Sequence, residues 1–128
     1  ATGAGRSVGA LGVAISNPGF AIDASGQGFV ISDTPSGPVH RLDLSNGQAT
    51  FVGNSGLRGI GLAFLRGELL ALDFDPDQLA RIDLATGAGT PIGALVHAGV
   101  SCAGLDAASD GSLWALDDGG RILCISPS

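Results

Sequence analysis

A chain of 128 residues with 45% apolar side chains is one domain's worth and can bury a core. Twenty-two glycines beside five Phe, one Trp and no Tyr, Met or Lys favour tight turns over long helices, because Gly is penalised inside a helix. A net charge of −6 argues against a partner bound through nucleic-acid phosphates, and no run reaches the ~20 apolar residues of a membrane span.

In chain order, Ala1 to Leu11 reads as a short Gly-rich segment with no amphipathic period. From Gly19 to Gly53 four short runs follow. Phe20-Ala21-Ile22 is small and apolar, Phe29-Val30-Ile31 is continuously apolar, Arg41-Leu42-Asp43 alternates, and a fourth run after the Asn46-Gly47 turn ends in Val52-Gly53. Residues 59–95 repeat the pattern with Leu62-Ala63-Phe64, Leu69 to Leu72, Arg81-Ile82-Asp83, the Thr86-Gly87 turn and Ile92-Gly93. Residues 101–126 give a third copy with only three runs, Ala103 to Leu105, Leu113 to Leu116 and Arg121 to Ile125. Asp33 and Asp73, and Asp43 and Asp83, lie 40 residues apart, and Asp117 falls 44 after Asp73. Four antiparallel strands recurring every ~40–45 residues predict an all-β chain of three four-stranded sheets. One such sheet cannot cover both of its apolar faces, so the copies are expected to stack.

The missing twelfth strand is accounted for at the other end of the sequence. Ala1 to Leu11 set against Ala85 to Leu95 matches in identity or size and polarity at nine of eleven positions, which predicts residues 1–11 to be a displaced closing strand for the last sheet. This repeat, an apolar pair, Leu-Asp, a turn, Arg-Ile-Asp-Leu and Thr-Gly, resembles the blades of the β-propeller superfamily. The resemblance implies blades at 19–53, 59–95 and 101–126. It also implies that a terminal strand completes the last blade. Three blades would meet at roughly 120° where a six-membered ring needs roughly 60°, and propellers close with about 4 to 8. The expectation is therefore an obligate homodimer in which two half-rings make six blades. The N-terminal strand of each chain would pair with Arg121 to Ile125 of the other. A piece of a larger propeller and a designed or reconstructed half-propeller are the other possibilities.

Residues recurring in every copy serve the blade, so chemistry is sought where the repeat breaks. Asp33, Asp73, Asp117, Asp43 and Asp83 read as turn-capping groups. Asp73, Asp75 and Asp77 open like a calcium loop, but Gln78 and Leu84 stand where the full loop has Gly and Glu, so they are weak metal candidates beside the reading as a polar turn. Asp23 and Asp106 follow the first strands and are the candidates for a ligand or cation site at the mouth of a channel. Glu68, the sole Glu, reads as a turn residue beside Arg66 and Gly67. His40 and His97 have no third ligand nearby, and no strand-Ser-helix elbow surrounds Ser101 or any other serine. Cys102 and Cys124, two strands apart, are expected to be reduced and buried, and Trp114 takes a core position in the second strand. No cofactor is expected. The function expected is a non-catalytic scaffold or binding module with an unknown protein or small-molecule ligand. A metal-dependent enzyme with its site at the channel mouth is the alternative.

Overall fold

The computed structural model describes residues 2–96 and 102–126, and over them the protein is all-β, with eleven strands and no helix. Strands β1 (Gly19–Ile22), β2 (Gly28–Ile31), β3 (Pro38–Leu42) and β4 (Ala49–Asn54) form the first antiparallel meander. The second comprises β5 (Gly59–Leu65), β6 (Glu68–Phe74), β7 (Asp77–Ile82) and β8 (Gly89–Ala94). The third has three strands, β9 (Cys102–Ala107), β10 (Leu113–Asp117) and β11 (Ile122–Ile125). Arg66 and Gly67, at φ 52° and 84°, are the two left-handed residues that join the Leu65–Glu68 pair in a two-residue hairpin.

The sheets stack as a fan with the second in the middle. Ala21, Phe29, Ile31 and Val39 of the first sheet meet Leu62, Leu69, Ala71, Ala80 and Ile82 of the second, and the Phe29 and Phe64 rings lie 5.8 Å apart across this layer. On the opposite face of the second sheet, Ala63, Leu65, Leu70, Leu72 and Leu79 meet Leu113 and Ala115 of the third. This explains why β6 is apolar at every position from Leu69 to Leu72, whereas the outer sheets each bury only one face in this way. Inner strand β5 lies against both β1 and β9.

The ladders give the repeat equivalences residue by residue. Ile31 faces Val39 as Leu72 faces Leu79 and as Leu116 faces Ile122. Ser32 therefore stands where Asp73 and Asp117 stand, one residue before the Asp33 that the 40-residue spacing selects. The hydrogen bonds agree. Backbone N–H of Ser16 donates to Ser32 Oγ at 2.9 Å, and that of Arg58 donates to Asp73 Oδ1 at 3.0 Å. Asp33 instead holds Arg58 Nε at 3.3 Å, and the Arg58 guanidinium carbon lies 4.9 Å from the Phe74 ring centre, so one side chain ties the first sheet to the second.

The strand expected of residues 1–11 is not formed within the chain: residues 2–18 carry no strand. A strand requires a ladder partner. The free edge of β11 belongs to the third sheet, while this segment lies against the first, with the second sheet between them. Its placement nonetheless repeats a contact inside the fan. Gly9 packs on the carbonyl of Asn46 and on Gly47 so closely that a Cβ would overlap them, as Gly53 packs on Thr86 and Gly87. Ala49 N–H donates to Leu11 O at 3.0 Å, as Gly89 N–H donates to Ser55 O at 3.1 Å. Residues 9–11 thus occupy, beside the first sheet, the place that the end of β4 occupies beside the second.

Candidate functional site

The aspartates found by repetition are consumed by turns. Asp43 Oδ1 accepts from Ser45 N–H at 2.9 Å and Ser45 Oγ–H at 2.6 Å, and its Oδ2 accepts from the Asn46 amide at 2.9 Å. Asp83 Oδ1 accepts from the N–H groups of Ala85 and Thr86 at 2.9 and 2.8 Å. These bonds to the ionised form hold both carboxyls below their ordinary pKa. Buried Asp117 accepts from Arg121 N–H at 2.7 Å and pairs with its guanidinium, and its pKa is lowered first of all by the backbone bond.

The metal candidates do not converge. Asp73 is buried and fully engaged, accepting from the N–H groups of Arg58 and Asp75 and, on Oδ2, from the Gln78 amide at 2.8 Å. Asp75 is exposed in the turn, and Asp77 begins β7. Among the described residues no three His, Cys, Asp or Glu side chains gather in a metal-binding group. Glu68 pairs with Arg81 at 3.1 Å across the hairpin.

Asp23 and Asp106 are not equivalent, contrary to their sequence positions. Asp23 caps the β1–β2 turn, accepting on Oδ1 from Ser25 N–H at 2.8 Å, Ser25 Oγ–H at 2.6 Å and Gln27 N–H at 2.9 Å, with its pKa lowered chiefly by the Ser25 hydroxyl. Its place in the third sheet is taken by Ala108, and Asp110, further along the same turn, holds Ser112 N–H and Oγ–H. Asp106 lies inside β9, opposite Trp114. The two candidates belong to the outer sheets with the second between them, and Asp106 stands where Ala63 stands, on a sheet face.

That face is the feature that sequence reasoning missed. Trp114 is 42% exposed, Leu116 57% and Ile122 66%, and together with Gly104, Leu105 and Asp106 they line a shallow apolar depression of about 340 Å³. Cys124, paired with Trp114 across the ladder, is a free and exposed thiol. Trp114 and Cys124 were expected in the core. Trp114 is open because the equivalent Leu70 is covered by the next sheet, whereas Arg81, the equivalent of Cys124, is itself exposed. The ladders set Trp114 where Leu70 stands in the second sheet and Phe29 in the first. The side chain of Cys102, and the whole of His97 and Ser101, lie outside the described residues.

The first sheet leaves the opposite face open. Phe20 is 50% exposed, Ile22 47% and Phe51 57%. Among them sits His40, 7% exposed, its ring centre 5.6 Å from that of Phe51 and its Nδ1 buried without a hydrogen-bond partner. Burial lowers its pKa. Beyond the edge of β11 a groove of about 590 Å³ runs between Ala94-Leu95-Val96 and Ile122 to Ser126. In the first two sheets the corresponding edges of β3 and β7 are taken by β4 and β8.

No protein-family model matches the sequence, and no curated protein matches it. Solved structures do match in fold. A protein of unknown function from Bacteroides thetaiotaomicron VPI-5482 superposes with a TM-score of 0.73 at 17% identity, covering 84% of this chain and 30% of its own. Virginiamycin B lyase from Staphylococcus aureus gives 0.56 at 15%, covering 84% and 40%, and an engineered GH43 glycoside hydrolase gives 0.53 at 18%, covering 84% and 25%. The chain thus spans less than half the length of these structures, and at such identities the likeness concerns fold alone. The stacked four-stranded meanders, their ~40-residue repeat and these neighbours agree that the chain is built of β-propeller blades.

Proposed function

We propose that this chain is a non-catalytic propeller scaffold or binding module that self-assembles, two copies closing into a six-bladed ring. The observation that supports it is the identity of the two open faces. The exposed face of the third blade, Trp114, Leu116, Ile122 and Cys124, is equivalent to the face that the first blade turns to the second through Phe29, Ile31 and Val39. The open face of the first blade, where Phe20, Ile22 and Phe51 are exposed around buried Val30, His40 and Leu42, is equivalent to the face that the third turns to the second. Third blade against first blade of another copy is therefore the interface already present twice within the chain, and a two-fold axis makes both seams at once. Contiguous apolar faces of this kind on a lone chain invite association. A ligand, if one is bound, would be held by loops and the channel mouth, and nothing in the placement of Asp23 and Asp106 favours chemistry there.

The test is absolute mass by light scattering on a sizing column. A mass near twice 12.6 kDa, unchanged on dilution through the micromolar range, is expected. A mass of 12.6 kDa would overturn the two-chain ring and leave the chain as part of a larger propeller.

A further inference from the structure

The two-chain reading leaves the groove beside β11 open, and resting on that reading we infer that it seats residues 5–10 of the second copy in one register, with Arg6 opposite Cys124. Three observations converge. First, Gly9 to Leu11 already hold the position of Gly53 to Ser55, touching the neighbouring Asn46-Gly47 turn and receiving the Ala49 N–H as Ser55 receives that of Gly89. The residues just before them must then run where β4 and β8 run, along the outer edge of a preceding blade. In a ring of two chains that blade is the third blade of the other copy.

Second, the ladders fix the register. Ile82 faces Gly89 and Arg81 faces Thr90, while Leu42 faces Ala49 and Arg41 faces Thr50. Ile125 and Cys124 are the third-blade equivalents of Ile82 and Arg81, since Leu113 faces Ile125 as Leu69 faces Ile82. The equivalents of Gly89 and Thr90 in the N-terminal segment are Gly5 and Arg6. Backbone pairing along this edge satisfies N–H and C=O groups that β11 otherwise leaves open.

Third, the side chains complement. In the first two blades the row carries Arg on the third strand and Thr on the fourth, and in the third blade the arginine is replaced by Cys124. Arg6 at the Thr position returns one guanidinium to the row. The same row contains Trp114 and the exposed Asp106, whose carboxylate bonds only the N–H of Ala107 at 2.9 Å among the described residues. An arginine extended across Cys124 reaches the Trp114 ring, two strand spacings or about 10 Å away, and gains a cation–π contact. Trp114, a departure from the repeat, is then explained as a specificity element of the seam.

Directly opposed strand residues lie within disulfide reach. Arg6→Cys, oxidised in the assembled protein, is expected to join Cys124 of the other copy and give a band at twice the chain mass that reductant removes. The band should vanish when Cys124→Ser is added. Ala10→Cys, roughly 13 Å further along at ~3.3 Å per residue, should not cross-link. An independent arm tests the cation over Trp114: Arg6→Ala should weaken the dimer about tenfold, and Arg6→Lys, which keeps a cation there, should largely restore it. A dimeric mass with no Arg6→Cys cross-link and no rescue would overturn the seat while leaving the two-chain ring. A cross-link within a single chain, or a monomeric mass for the unaltered protein, would overturn both.

Discussion

Asp73 shows how a charged residue becomes part of a blade's interior. It is buried, and its two oxygens receive the Arg58 and Asp75 N–H groups and the Gln78 amide, so its ionised form is solvated by the protein itself. Asp73→Ala strands those donors and is expected to cost about 3 kcal/mol in urea unfolding. Asp73→Ser should cost less, because Ser32 performs the equivalent task for the Ser16 N–H with one hydroxyl. Equal losses for Ala and Ser would mean that volume, not hydrogen bonding, matters there. His40 presents the opposite case, a buried polar ring with an unsatisfied Nδ1. Its folded pKa lies below its ordinary 6.5, so the stability held by the neutral form is complete above that value and is lost as pH falls through it. The capping carboxyls of Asp23, Asp43, Asp83, Asp110 and Asp117 are lowered from 3.8, so their contribution is present above that value and lost as pH falls below it. Unfolding midpoints at fixed protein concentration should therefore decline in two stages on acidification. His40→Leu should abolish the stage below pH 6.5 and leave the one below pH 3.8. A variant with the same upper stage would show that another group titrates there.

At the scale of the strand and its turn, the sequence carried the blade pattern well and the faces poorly. The period of about 40 residues, the apolar second strands and the Asn46-Gly47 and Thr86-Gly87 turns correspond to observed elements, because turn chemistry and alternation are local. The pairing of Asp33 with Asp73 was off by one residue, since the connection from Ile31 to Val39 is one longer than that from Leu72 to Leu79, and spacing alone does not reveal where a loop absorbs an insertion. The exposure of Trp114 and Cys124 was hidden for a different reason: which face of a terminal blade is open depends on its neighbours. Glycine contacts across blades are likewise non-local. Gly53 lies against Thr86 and Gly87 with no room for a Cβ, and Gly87, at φ 74°, bends the turn toward it. Gly53→Ala should cost about 1–3 kcal/mol, as overpacking against backbone does, whereas Gly67→Ala, with open space around it, should cost only the strain of its left-handed conformation. Thermal melts of the two variants compare these costs directly. A harmless Gly53→Ala would show that the strand-to-turn contact, and its copy at Gly9, is loose.

The whole molecule is a fan with two unlike ends, and in the proposed ring that polarity is what would let a second copy close it. A first-blade face repeated at both ends would give only stacking of like on like. Here each end is the complement of the other, and in the proposed ring the one Trp of the chain would stand in the seam. This gives a spectroscopic reading of assembly. In the lone chain Trp114 is 42% exposed, with its indole N–H bonded to Ser112 Oγ at 2.8 Å. Beneath the first blade and Arg6 of a second copy it would be shielded. The full chain at micromolar concentration should therefore show blue-shifted emission and weak acrylamide quenching. Removal of residues 1–11 takes away both the edge strand and Arg6, so the remaining protein should lose the dimeric mass, or aggregate through the open edge, and its Trp emission should move to the red. A truncated protein that stays dimeric with Trp114 equally shielded would mean that blade faces alone close the ring and that the N-terminal segment serves only the Asn46-Gly47 turn against which it lies.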